Sequence, residues 1–229
     1  MKKRIVLIIA FILLFATSCS RGTSDALKFK DEYESLNGTQ TTSGKDYRTV
    51  TISKSNPMVY KTASDIVSMV NDKETFAVYF GFNSCPWCRS VLPTLLDVAS
   101  DLKVDTIYYV DVKEIRDVLT INEDGEIVTT KEGDSGYMTL LELFSDVLAD
   151  YSLSDSDGNA VETNEKRIYA PNVVSVVNGK ATMMTTGISE KEDDPYMELT
   201  DEMIEETYDK FSTVLKEIIN LNCSKDNKC

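Results

Sequence analysis

The sequence contains no histidine. That absence removes Ser-His-Asp and Cys-His nucleophile–base pairs and every metal site with an imidazole ligand. Positive charge is also scarce: 24 Lys and Arg stand against 38 Asp and Glu in 229 residues, a net charge of −14. No basic patch can dominate such a surface, which excludes a nucleic-acid partner. The longest apolar run, Ile5–Ala16, has 12 residues, short of the roughly 20 that span a hydrocarbon core. What is present is enough for a core. Hydrophobic residues make up 42% of the chain, which rules out disorder throughout. The length suits one domain with appendages, about 100–200 residues per domain being usual. Five cysteines are an odd number, so an exported protein has one thiol left to account for.

The N-terminus supplies that account. Lys2, Lys3 and Arg4 precede the apolar run, which has the size of a signal-peptide core. It leads into Ala16-Thr17-Ser18-Cys19. These small residues before a cysteine resemble the bacterial lipobox, although Ala16 stands where that pattern favours Leu. The resemblance implies a signal peptide over 1–18, lipidation of Cys19, and a membrane anchor on the extracytoplasmic face. Ordinary secretory cleavage nearby, or an uncleaved anchor, is the alternative. Four cysteines then remain in a compartment that permits disulfides.

Residues 19–47 are rich in Ser, Thr, Gly and charge and read as a flexible tether, with a short helical pattern over Leu27–Leu36. Tyr47–Ser53 alternates like a strand, and Ser64–Val70 has a cap followed by helical spacing. Thr75–Phe82 is a buried-type strand, Arg89–Leu102 a helix, and Val104–Val112 a second buried strand. Residues 113–136 look inserted, with Asp124-Gly125 marking a hairpin turn. Tyr137–Tyr151 has a helical apolar face, and Ser152–Thr163 reads as a polar loop. Val173–Val177 and Ala181–Thr185 flank Asn178-Gly179, a two-residue hairpin signal. A helix capped by Thr200 follows, and Cys223–Cys229 closes the chain as a cysteine-bounded tail.

Between the first buried strand and its helix lies Cys85-Pro86-Trp87-Cys88. Pro93 follows within the helix, and Ala170-Pro171 precedes the Asn178-Gly179 hairpin. In this order the residues resemble the thioredoxin superfamily, and the layout is similar to the thioredoxin-like lipoproteins called bacteriocin-transport accessory proteins. The resemblance covers roughly 75–222. It implies an α/β thioredoxin fold over 48–222, a central mixed sheet flanked by helices, with an N-terminal extension and the insertion at 113–136. It also implies that Pro171 is cis and presents the Ala170 backbone to an extended substrate. Two departures stand out. Tyr79 occupies the position of the family's buried acid, and Pro-Trp between the cysteines is closer to glutaredoxin patterns than to Gly-Pro.

The chemistry suits the residues. A cysteine at a helix N-terminus meets free N–H groups and the positive end of the helix dipole, which favour its thiolate. Cys85 is therefore the candidate nucleophile, and Cys88, one turn inside, the resolving thiol. Pro86 fits the first helical turn, Trp87 offers an apolar face to substrate, and Arg89 adds positive charge beside the motif. An inert disulfide, or half of a zinc site completed by Cys223 and Cys229, is the alternative. Cys223 and Cys229 read as a local structural disulfide or as a second redox pair. Asp155–Asn159 resembles a calcium loop, but Leu153 and Asn164 occupy its first and last ligand positions, so it reads as a turn. No metal or cofactor is expected. The expected function is a membrane-anchored extracytoplasmic thiol–disulfide oxidoreductase acting on protein thiols and disulfides, with a membrane redox partner. The alternative is a non-catalytic accessory module that binds an exported peptide or a transporter.

Overall fold

The computed structural model describes residues 20–226, with side chains from 24 to 219. The expected signal peptide over 1–18, Cys19 and Cys229 lie outside the described residues, and so does the side chain of Cys223. Among the described residues no helix is long and apolar enough to cross a membrane.

The chain is mixed α/β. A helix, α1 (Ser20–Glu34), leads into a short strand, β1 (Met58–Tyr60), and helix α2 (Ala63–Asn71). Strand β2 (Phe76–Gly81), helix α3 (Pro86–Asp101) and strand β3 (Ile107–Asp111) form a β-α-β unit. Two hairpins follow, β4 (Val118–Ile121) with β5 (Ile127–Lys131) and β6 (Ala149–Ser154) with β7 (Ala160–Arg167), separated by helix α4 (Ser135–Leu143). Strands β8 (Asn172–Val177) and β9 (Lys180–Thr185) and helix α5 (Asp201–Asp226) complete the order. The central sheet runs β1-β3-β2-β8-β9. Strands β1, β3 and β2 are parallel, and β8 and β9 are antiparallel to their neighbours.

The period of two along β2 builds both faces of the core. Ala77 and Tyr79 join the cluster under α1, α3 and α5, with Leu92, Leu95, Phe211 and Leu215. Phe76, Val78 and Phe80 join the opposite cluster under α2 and α4, with Ile66, Tyr137 and Phe144. Both faces are covered, which is why β2 reads as a continuous apolar run.

Four expectations are corrected. The segment expected to be a tether is helix α1 and a packed extension. Phe29 and Tyr33 are fully buried, each worth about 1.5–3 kcal/mol of transfer free energy. That is enough to hold a helix whose mean composition is polar. Tyr47–Ser53 is extended but is not a strand of the sheet. Asn37 clamps it instead, donating to the Val50 carbonyl and accepting from the Val50 N–H at 2.8 and 3.0 Å. The helix expected over Tyr137–Tyr151 stops at Leu143, and Ser152–Thr163 belongs to the β6–β7 hairpin rather than to a loop. The insertion is therefore two hairpins with α4 between them. Asp155–Asn159 is the turn of the second, with Asp155 accepting from the backbone of Asp157 and Asn159.

The Asn178-Gly179 turn takes positive φ at both residues, 49° and 74°, as a type I′ hairpin requires. Its N–H groups dock on the loop between α2 and β2, Asn178 to Thr75 Oγ1 and Gly179 to the Glu74 carbonyl. A Cβ on Gly179 would stand 2.2 Å from the Val70 carbonyl oxygen. Gly179→Ala is expected to cost more than the 1–2 kcal/mol or so of left-handed strain alone, because the clash is with backbone. A urea midpoint reads this directly, and a loss below about 1 kcal/mol would show that the hairpin shifts freely.

Candidate functional site

Strand β2 delivers the chain to a short loop, Phe82–Ser84, and Cys85 then caps α3 with φ −80° and ψ 117°. Its carbonyl accepts the first helical bond from Arg89 N–H at 3.1 Å. Its sulfur lies 3.4 Å from Cys88 N and accepts that N–H. A cap of this kind satisfies one of the orphan donors of the first turn. Pro86 sits at the first helical position, where its missing N–H costs nothing. Pro93 lies inside α3.

Ala170-Pro171 is a cis peptide. It brings the Ala170 carbonyl to 3.2 Å from Cys85 Sγ, and the thiol donates to it. Residues 85 positions apart in sequence thus meet at one sulfur. The structure gathers Cys85, Cys88, Ala170 and Pro171 together, with Pro86 and Trp87 on the rim. Trp87 is half-buried and packs on the core, so it does not offer the fully open apolar face expected.

The two thiols, both free, differ in environment. Cys85 is 5% exposed and Cys88 is 0% exposed, so only Cys85 can meet a substrate without unfolding. Its acidity is raised, chiefly by hydrogen bonding from the Cys88 thiol, then by the N–H groups of Cys88 and Trp87 and the charge of Arg116, against burial. Burial pushes the Cys88 thiol up, and the neighbouring Cys85 adds to that. The Tyr79 hydroxyl and the Phe82 N–H pull it back in part. An accessible acidic thiol beside a buried resolving thiol is the asymmetry that thiol–disulfide exchange uses.

Arg89 corrects another expectation. Its side chain is fully buried and does not face the cysteines as a charge. It donates to the carbonyls of Arg48, Tyr33 and Asn83 and to Asn37 Oδ1, at 2.7–3.3 Å. It therefore ties the N-terminal extension to the loop that carries Cys85. The positive charge near Cys85 comes from Arg116, whose guanidinium lies 5.4 Å from the Phe82 ring centre. Arg116 is placed by its neighbour Asp117, which forms a buried ion pair with Arg167. Arg167 also donates to the Asp117 carbonyl at 2.9 Å. The pair joins the first hairpin to the end of the second, three residues before Ala170. No sequence pattern announces Arg116, because its position depends on a contact 50 residues away.

Tyr79 is likewise buried, in a cluster with Tyr33 of α1 and Tyr109 of β3. Its hydroxyl is 3.5 Å from that of Tyr33, and its ring stacks on Tyr109 with centres 5.7 Å apart. The signal that could have located this cluster is Gly81, a glycine inside an otherwise apolar strand, which marks a close approach. No protein-family model matches the sequence, and no curated protein matches it.

Proposed function

We propose that this chain is a thiol–disulfide oxidoreductase on a thioredoxin fold, held at the extracytoplasmic membrane face by a lipid on Cys19. The observation that carries the reading is Cys85 itself. Its sulfur caps a helix N-terminus, receives the Cys88 N–H, and touches the carbonyl of a cis peptide drawn from the far end of the chain. A merely structural disulfide has no use for such an arrangement. The sheet order β1-β3-β2-β8-β9 with the motif at the end of the central β2 supports the fold. The basic residues, apolar run and small residues before Cys19 support the anchor.

In the reducing direction Cys85 thiolate attacks a substrate disulfide and forms a mixed disulfide, releasing one substrate thiolate. Cys88 thiolate then attacks Cys85 Sγ, closing the Cys85–Cys88 bond and releasing the second. The proton lost by Cys88 ends on the departing substrate thiol. The oxidising direction runs the same bonds in reverse.

Insulin reduction with dithiothreitol tests the proposal. The wild-type protein is expected to accelerate it, and Cys85→Ser to lose at least about a thousandfold of that acceleration, as loss of a covalent nucleophile does. Alkylation of the Cys85 peptide, followed by mass spectrometry, is expected to reach half its maximal rate at a pH below the free-cysteine value of about 8.5. The sign follows from the stabilised thiolate, which persists to lower pH. A Cys85→Ser protein as active as wild type would end the proposal.

A further inference from the structure

The buried resolving thiol must become a thiolate with no carboxylate beside it. The polar side chain beside Cys88 on β2 is a phenol instead, that of Tyr79. A Cβ built on Gly81 would stand 2.7 Å from the Tyr79 hydroxyl and 3.0 Å from Cys88 Sγ. The phenol and the sulfur thus converge over a residue that has no side chain to part them. Tyr79, Tyr33 and Cys88 are each fully buried, so their polar atoms have only one another and the backbone. Tyr33 lies behind Tyr79, hydroxyl to hydroxyl at 3.5 Å, from the helix that Phe29 and Tyr33 anchor.

We propose that the Tyr79 hydroxyl is the donor that supports the Cys88 thiolate, with the Tyr33 hydroxyl supporting Tyr79 from behind. This rests on the exchange reaction proposed above and deepens it. A phenol in this place does not accept the Cys88 proton. It donates, and so stabilises the charge on sulfur when Cys88 attacks the mixed disulfide or leaves from the Cys85–Cys88 bond. Donors fixed in a buried site need no reorganisation as charge develops. A thiolate so stabilised is also the better leaving group. The other titratable groups that face Cys88 are Cys85 from its own helix and Tyr109 from β3. The Arg89 guanidinium is engaged with carbonyls on the far side.

The test uses the oxidised full-length protein. Trp87, the single tryptophan, lies between the two cysteines and reports their redox state by fluorescence. Reduction by dithiothreitol is followed across pH for wild type, Tyr79→Phe and Tyr33→Phe, and the ratio to wild type cancels the titration of the reagent itself. Tyr79→Phe is expected to slow reduction about tenfold, the effect of deleting one donor to a charged group. That slowing is expected to be the same at every pH once the reagent's titration cancels, because the attacked disulfide does not itself titrate. Alkylation of Cys85 in the reduced protein is expected to stay within about twofold of wild type, which a general loosening of the site would not allow. Tyr33→Phe is expected to slow reduction less, in the same direction. Wild-type reduction rates in both phenol variants, in a protein that still exchanges, would overturn the inference. If circular dichroism shows Tyr79→Phe unfolded, the Tyr33→Phe rate decides alone. Failure of the wild type to exchange at all would overturn the parent reading instead.

Discussion

Cys88→Ser is expected to turn the protein from a catalyst into a trap. Cys85 remains accessible and acidic, so it still attacks a disulfide and forms the mixed disulfide. The second step then has no nucleophile, because a serine hydroxyl stays protonated near neutral pH and does not displace a thiolate from sulfur. With 5,5′-dithiobis(2-nitrobenzoate), the wild-type pair consumes one reagent, releases two thiolates and keeps no adduct. The Cys88→Ser protein releases one at this site and retains the adduct on the Cys85 peptide, where mass spectrometry finds it. Turnover of a disulfide substrate should fall about a thousandfold. The substitution is tolerable to the fold. The new hydroxyl takes the buried place of the thiol, where the Tyr79 hydroxyl converges on the same point over Gly81, so it has a polar neighbour. Retention of no adduct on Cys85 in a folded Cys88→Ser protein would mean that Cys85 is not the attacking sulfur.

The parts of this structure that could be read from sequence are those in which local pattern and burial agree. Strand β2 is apolar at every position because both faces are covered. The Asn178-Gly179 turn is legible because only a few residues accept positive φ in succession. Cys85 and Pro86 announce the start of α3, since a polarisable cap and a proline at the first position suit no other element as well. What could not be read depends on distant contacts. Helix α1 buries Ala26, Phe29 and Tyr33, three residues among polar ones, and its stability comes from β3 and β1 rather than from its own composition. The ring of Phe29 meets Tyr109 at 4.9 Å, edge to face. The β6–β7 hairpin is half-exposed along both strands and carries only weak alternation. Tyr79 was legible as a strand residue, but its place beside Cys88 was not. The phenol reaches Cys88 only because Gly81 leaves the space, and it is backed by a residue 46 positions earlier.

Arg89→Met is expected to be the most destabilising single change outside the cysteines, at about 3–5 kcal/mol. Arg89 is a fully buried cation whose bonds run to three backbone carbonyls and an amide oxygen, and none of them to a carboxylate. Methionine fills much of the volume but leaves those acceptors without their donor, and each unsatisfied buried group costs about 1–3 kcal/mol. Removing one member of a buried charged network has a similar magnitude, about 3–5 kcal/mol. Arg89→Lys should recover only part of the loss, because one ammonium cannot span acceptors that the planar guanidinium reaches from three nitrogens. Urea unfolding gives the magnitude through the midpoint at constant slope. The location of the damage separates this role from a generic core defect. Three of the four acceptors belong to the extension, at Tyr33, Asn37 and Arg48, so limited proteolysis should cut between residues 34 and 50 in the variant well before it cuts the sheet. The fourth, the Asn83 carbonyl, lies two residues before Cys85, so the same substitution should also shift the pH at which Cys85 is alkylated. A loss below about 1 kcal/mol, with wild-type proteolysis, would mean that the extension is held by Phe29 and Tyr33 alone.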